Sequence, residues 1–468
     1  MDYDDENTFA SVAWDRDPAP ETAGTEDQDT TQAPNGFADG AGVNNAPAAS
    51  TSRPARSSEM TTEIILSEKL ELRVCEPVKE LEGTKDSFVS YAVLGESDMA
   101  QFSRKQFSTR RRFHDFVFLH DHLGKDFPAC VIPPLPGKHR LEYITGDRFS
   151  LEFVEKRRAD LDRFLQRMAR HPVLARSKLL QAFLESQEWN VVMHQHVTHP
   201  SLEETTPTML DNLSDTLLNA FTKVRKPDER FLEMREELDK FEEALGGVDR
   251  IEARSKNRTN DLSADYDSLS AAIQSLAHLE SGITEPLTKF EGSLFDFSTT
   301  LRKVAESTIE PFLDHLTSLL SYSASFKAVL KLRDQKQLDF EELSAYLSNL
   351  AVERDRLASG AGSGQGIGSY LKSRVDAFRG ADNDFGRESR IVKLESKIKE
   401  LQDAVNTAHE TSESFNAAVV REHAIFQQTK KQEMKELLSA YAEGQINFYR
   451  KAMADFESCE PALQAIRS

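Results

Sequence analysis

Three consecutive arginines, Arg110, Arg111 and Arg112, run directly into Phe113 in the stretch RRRFHDFVFLHDHL. Guanidinium groups are planar forks that match phosphate oxygens through paired, charge-assisted hydrogen bonds. The aromatic ring beside them offers a flat face to a ring-shaped ligand. Two further cations fall on separate segments. Lys138 follows the proline-rich run FPACVIPPLPGK, and Arg157 lies within FVEKRRADLDRFL. Together they would form a pocket for a phosphorylated ring. Charge alone favours the plainer reading, in which arginines at a strand end stay solvated.

The elements that must position them follow from periodicity. EIILSEKLELRVCEPV and SFVSYAVLG are rich in β-branched and aromatic residues and are bounded by charged or turn residues, which predicts two strands. RKQFSTRRRF reads as a third. Helical spacing takes over at Phe113, Phe116, Val117 and His120, and again at Phe153, Arg157, Leu161, Phe164, Leu165 and Met168. Strands followed by helices predict a small α+β domain over 61–190. Residues 1–60 are acidic and poor in large apolar side chains, so they are expected to be disordered. Phe9, Val12 and Trp14 stand out there; the plainer reading is that they are incidental, the alternative a short docking motif for a partner. In the linker over 191–227, Leu210, Leu213, Leu217, Phe221 and Val224 fall on one helical face, a candidate interfacial helix.

Beyond it the apolar residues step by three and four. Phe231, Met234, Leu238, Phe241, Leu245 and Val248 make one such series; Ile309, Phe312, Leu316, Leu320, Phe326 and Leu330 make a second. Ile391, Leu394, Ile398, Leu401, Val405 and Ala408 make a third. Such seams predict long helices packed lengthwise, with Pro286 and Pro311 as kinks or breaks and the glycine-rich 359–369 as a connector. Helices of roughly 50 to 75 residues run on the order of 75 to 110 Å. That is a rod, and its narrow seams require partner helices.

Composition removes several functions. A formal net charge of −20 over 468 residues argues against nucleic acid, which favours broad basic surfaces. Cys75, Cys130 and Cys459 are too few and scattered for a disulfide framework or a metal quartet, in keeping with a reducing compartment. The start, MDYDDENTF, lacks a signal-peptide core, and no apolar run approaches the ~20 residues that span a bilayer. A membrane would be met from the cytosolic side.

The ordered set Arg-Arg-Phe-x-x-Phe, then PPLPGK, then FVEKRRADLDRFL resembles the phosphoinositide-binding PX domain over about 125 residues. The resemblance implies roles. Arg112 grips a 3-phosphate, Phe113 stacks under the inositol, Lys138 takes the 1-phosphate and Arg157 bonds ring hydroxyls. His114 stands where the family often has Ser or Thr, and Phe113 replaces the commoner Tyr. A histidine there would add charge below its ordinary pKa of about 6.5. Val131, Ile132 and Leu135 either dip into the membrane interface beside the pocket or pack on the domain itself; hydrophobicity does not decide.

A PX domain, an amphipathic linker and three long helices resemble the sorting nexins that carry a C-terminal BAR domain, with the overall texture of their autophagy-related subgroup. This implies an α+β PX domain, a three-stranded sheet plus helices, followed by an all-α BAR domain of three coiled-coil helices over 228–468. The implied partners are phosphatidylinositol 3-phosphate and curved anionic membrane. The rod would pair as a homodimer or with another BAR sorting nexin. Arg354, Arg356, Lys372, Arg374 and Arg379 would supply charge near its tip. The implied place is the cytosolic face of endosomes and preautophagosomal structures, and the implied work is cargo retrieval and selective autophagy. The alternative is a soluble coiled-coil scaffold without specific lipid binding.

Other motifs carry less. GAGSGQGIGSY follows a helix and lacks the Gly-Lys-Ser/Thr of a phosphate loop. MHQHVTHP offers His194, His196 and His199 without a companion ligand group, so a polar linker is expected there. No nucleophile–base pair or dinucleotide fingerprint is present. Neither catalytic residues nor a metal or cofactor are expected.

Overall fold

Alternation in LELRVCEPVKE turns Leu70, Leu72 and Val74 to one side and Glu71 and Arg73 to the other, the pattern of a strand with one buried face. This is β1 (Leu70–Glu80). It pairs antiparallel with β2 (Phe88–Ser97), which pairs antiparallel with β3 (Gln106–Arg112), giving a sheet of order β1-β2-β3. The computed structural model describes residues 69–83, 87–136, 149–198, 227–359 and 382–465. Gly95 in β2 lies under the Phe107 ring of β3, where any Cβ would collide with it.

Helices α1 (Phe113–Asp126), α2 (Leu151–Arg170), α3 (Lys178–Glu185) and α4 (Trp189–Thr198) cover the inner face of this sheet. Ser150 caps α2 by accepting from the Phe153 N–H, and Ser177 caps α3 in the same way. Leu72, Val74, Tyr91 and Val93 meet Phe116, Leu119, Leu161, Phe164 and Phe183 in one core. Of the expected polar linker MHQHVTHP, the described part, 193–198, is helical. Residues 189–198 form α4, because Trp189 is buried in that core and fastens the segment down. His194 is exposed and His196 pairs with Asp126 at 3.4 Å; His199 lies outside the described residues.

The remainder is helical among the described residues. Asp228 caps α5 (Glu229–Leu279) by accepting from the Arg230 N–H at 3.0 Å. After a short turn, α6 (Thr284–Val304) passes through a π-turn (Ala305–Ile309) directly into α7 (Glu310–Ala358). Then come α8 (Asp382–Glu457) and the short α9 (Glu460–Ala465). Pro286 stands in the first turn of α6, where its missing N–H costs nothing. Pro311 does not break its helix. The π-turn just before it absorbs the irregularity that a proline imposes.

Two apolar clusters hold the rod. Phe231, Met234 and Leu238 of α5 pack with Tyr322, Phe326 and Leu330 of α7 and with Phe415, Val419 and Phe426 of α8. Farther along, Leu245 packs with Phe312, Leu316, Leu319 and Leu437. Val131, from the α+β unit, is a fully buried member of the first cluster, and Ile132 is buried in the core under the sheet. This corrects the expectation of membrane insertion at both residues: their apolar surface is already spent on packing. Leu135 is partly buried against the same core as Ile132. The insertion candidates Leu213, Leu217 and Phe221, and the tail residues Phe9, Val12 and Trp14, lie outside the described residues.

Candidate functional site

Strand alternation separates the three arginines. Arg111 points inward and is buried, where Nε and Nη2 donate to the Phe183 carbonyl at 3.0 and 2.7 Å and Nη2 also reaches the Ser186 carbonyl. Burial holds its guanidinium down to about 10, a fall that the nearby Asp115 charge resists. Its work is structural, tying β3 to the end of α3. Arg110 faces the other way and is bonded along the sheet, donating to Ser90 Oγ at 3.0 Å and to the Glu76 and Ser90 carbonyls at 2.9 and 3.0 Å.

Arg112 stays exposed at the end of β3. It stands at the junction of β3 and α1 with its side chain 45% exposed. Asp115, buried on the first turn of α1, accepts the Arg112 backbone N–H at 2.9 Å, and its other oxygen lies 3.5 Å from Arg112 Nε. One acid thus shapes the helix start and orients the guanidinium above it.

Phe113, the next residue, is half-buried against the domain core. Arg157 of α2 comes to it from across the domain. Its guanidinium carbon sits 4.4 Å from the Phe113 ring centre and 4.3 Å from that of Phe153, one turn back on the same helix. A cation held between two rings is positioned by them. Beneath it the buried Tyr91 hydroxyl is raised by desolvation and drawn back down by Arg157. His114 is exposed on the first turn of α1.

The fold therefore brings Arg112, Phe113 and Arg157 to one place, with His114 beside them. Lys138 lies outside the described residues. Reading by motif missed Asp115 and Phe153 as supporting residues. Their signals were present: an acid three residues after the strand-end arginine, and an aromatic four residues before Arg157 on a helix. What the arrangement can do is bind. The Arg157 guanidinium lies against the Phe113 ring, and Arg112, the residue before Phe113, holds its guanidinium 5.9 Å from the Phe88 ring centre, donor types that suit a phosphorylated ring.

Comparison with known proteins gives this geometry a lineage. Over 403 residues the chain is 55% identical to sorting nexin-4 of Cryptococcus neoformans, which spans 85% of this chain and 81% of that protein. It is 38% identical to sorting nexin-4 of Gibberella zeae over 97% of this chain and 95% of that one. The chain belongs to the sorting nexin-4 family. Residues 99–187 match the PX domain, a stretch that includes Arg112, Phe113, Lys138 and Arg157. The solved SNX-BAR Mvp1 tetramer is similar in fold, with a TM-score of 0.50 and 16% identity, and the match covers 83% of this chain and 99% of that one. This sorting nexin thus consists of a three-stranded PX sheet with its helices, followed by long BAR helices, and it is not an enzyme. No helix among its described residues is long and apolar enough to cross a membrane.

Proposed function

We propose that this sorting nexin binds phosphatidylinositol 3-phosphate in the PX pocket and lays its rod, as a dimer, on curved anionic membrane. In this reading Arg112 holds the 3-phosphate, Phe113 supports the inositol ring, Lys138 takes the 1-phosphate and Arg157 bonds ring hydroxyls, with His114 at the rim. The PX domain spans 61–190, the linker 191–227 and the BAR domain 228–468, behind an acidic tail over 1–60. The observation that carries it is the exposed Arg112 guanidinium, braced by Asp115 beside a ring that Arg157 overlies at 4.4 Å.

Pairing of the rod has its own support. Leu262, Leu269 and Leu276 form a heptad stripe on α5 that stays 41–44% exposed. On α8, Tyr449 and Met453 are exposed beside Phe297, Phe448 and Phe456. Uncovered heptad leucines call for a second set of helices, from another copy or from a different BAR sorting nexin. A dimer would carry two PX pockets, and joined weak contacts gain roughly 10² to 10⁴ in avidity. Such a protein would gather on the cytosolic face of endosomes and preautophagosomal structures. There it would serve cargo retrieval and selective autophagy.

Flotation with liposomes containing each phosphoinositide in turn tests the pocket. Wild type is expected to float only with the 3-phosphate lipid, and Arg112→Ala to stay in the soluble fraction. Equal flotation with every anionic lipid, unchanged by Arg112→Ala, would replace the pocket with general electrostatic adhesion.

A further inference from the structure

The headgroup residues rest on segments that are themselves fastened to the rod. Helix α2 carries Arg157 in its first half and meets the BAR helices along its length. Lys156, beside Arg157, pairs with Asp314 of α7 at 3.0 Å. Arg167 makes two 2.8 Å bonds to the Glu433 carboxylate of α8 and donates to the Ser318 carbonyl at 3.4 Å. Arg170 meets Glu436 at 3.1 Å. His171, which caps α2, lies 2.9 and 3.1 Å from the two carboxylate oxygens of Glu422 on α8. The same Glu422 accepts the Val131 backbone N–H at 2.8 Å. One buried rod carboxylate therefore joins the end of the Arg157 helix to the proline-rich segment that follows α1.

Cys130, His171 and Glu422 bring their donor atoms within 4.8 Å of one another, a set with the donor types of a zinc site. The histidine argues against an ion. Its Nδ1 accepts the backbone N–H groups of Val173 and Leu174 at 3.2 and 3.1 Å, so Nε2 carries the proton that Glu422 receives. A metal on Nε2 would force that proton onto Nδ1, against two donors. The cluster is a clasp.

We propose that Glu422 of the rod is a positioning residue for the headgroup site, so that affinity for the phosphorylated ring depends on the BAR helices as well as on the PX domain. By holding Val131 and His171 together, it sets the spacing between α2 and the segment after α1. Glu422 touches no ligand itself; it acts through Arg157 and the proline-rich run. This rests on the headgroup reading of Arg112, Phe113 and Arg157.

Isothermal titration of the full chain with water-soluble dibutanoyl phosphatidylinositol 3-phosphate reads the pocket without a membrane. E422A is expected to bind about fivefold more weakly than wild type while its sedimentation stays the same. Amide exchange at Val131 should quicken in the same variant. E422Q, whose side-chain carbonyl still accepts the Val131 N–H, should return to within about twofold. A role confined to stability would lower the melting temperature and leave the affinity of folded protein unmoved. If E422A does not fold, D314A decides, since it loosens the other half of α2 from a part-exposed pair; about twofold weaker binding is expected. Wild-type affinity in E422A, or in D314A in that case, beside lost binding in R112A, overturns the inference and leaves the headgroup reading standing. Titration that R112A does not alter removes the headgroup reading, and this inference with it.

Discussion

Along the first half of α5, Phe231, Met234, Leu238 and Leu245 are buried among α7, α8 and the α+β unit's Val131. Along the second half, Leu262, Leu269 and Leu276 repeat in heptad register and remain open, while Ser263, Ser270 and Ala277, one position on, are buried. The difference lies in what α5 meets. In the first half its large side chains fill a space between three elements. In the second, small residues let α5 and α6 approach closely: Ser263 Oγ donates to the Ser298 carbonyl at 3.0 Å, and Ser270 Oγ to the Glu291 carbonyl at 3.2 Å. The intrachain seam there is closed by serines and an alanine. The leucines stay exposed. A heptad pattern thus says that a helix will be covered, and not whether its own chain will cover it.

The comparison can be broken where the first half is most closely sealed. Arg167 and Glu433 are 1% and 5% exposed, and Glu433→Gln would leave the arginine buried without its counter-charge. The expected loss is about 3–5 kcal/mol in denaturant unfolding. Burial pushes the Glu433 carboxyl up, but hydrogen bonds from Arg167 and His315 outweigh it and hold it at about 2, below its ordinary 4.5. A depressed folded-state pKa stabilises above the unfolded value and is lost on acidification. The gap between wild type and Glu433→Gln should therefore narrow, by about 3 kcal/mol, as pH falls from near 5 to near 2. A gap that does not change with pH would mean that the pair is not formed.

Leu238→Ala and Leu269→Ala set the two halves against each other directly. Leu238 is 1% exposed, and its truncation is expected to cost about 2–5 kcal/mol. Gly444 of α8 lies against Thr308 in the π-turn, where an added Cβ would collide with the threonine side chain. Gly444→Ala should destabilise by about 1–3 kcal/mol, seen as a lower unfolding midpoint. Leu269→Ala should change the unfolding of dilute, monomeric chain by no more than about 0.5 kcal/mol. In sedimentation at higher concentration the same substitution should weaken self-association, or pairing with a different BAR sorting nexin. Equal costs for Leu238→Ala and Leu269→Ala would close the second half and end the comparison.

Much of the fold was legible because it is periodic. β-Branched and apolar residues bounded by charged or turn residues marked the stretch that holds β1, and three- and four-residue steps marked α2 and the long helices. The candidate headgroup residues could be singled out only as an ordered set of three motifs, Arg-Arg-Phe, PPLPGK and the helix that carries Arg157. The division of labour among Arg110, Arg111 and Arg112 was only half legible. Alternation places the middle arginine opposite its neighbours. That Arg111 is the buried one depends on the Phe183 and Ser186 carbonyls, far along the chain. Trp189 was likewise the unread signal that made a helix of the expected linker.

What the amino-acid sequence determined by itself is local and compositional: strand and helix periods, the three arginines that run into Phe113, and long seams that need covering. These depend on neighbours a few residues apart, and they survive any arrangement of the elements. Tertiary structure alone decided which apolar residues were free. Val131 and Leu262 are equally hydrophobic in a sequence sense. One is sealed in the rod beside Phe231 and Phe326, and the other is left exposed on α5. Burial is a property of what packs against a side chain, and that is fixed only when distant segments meet.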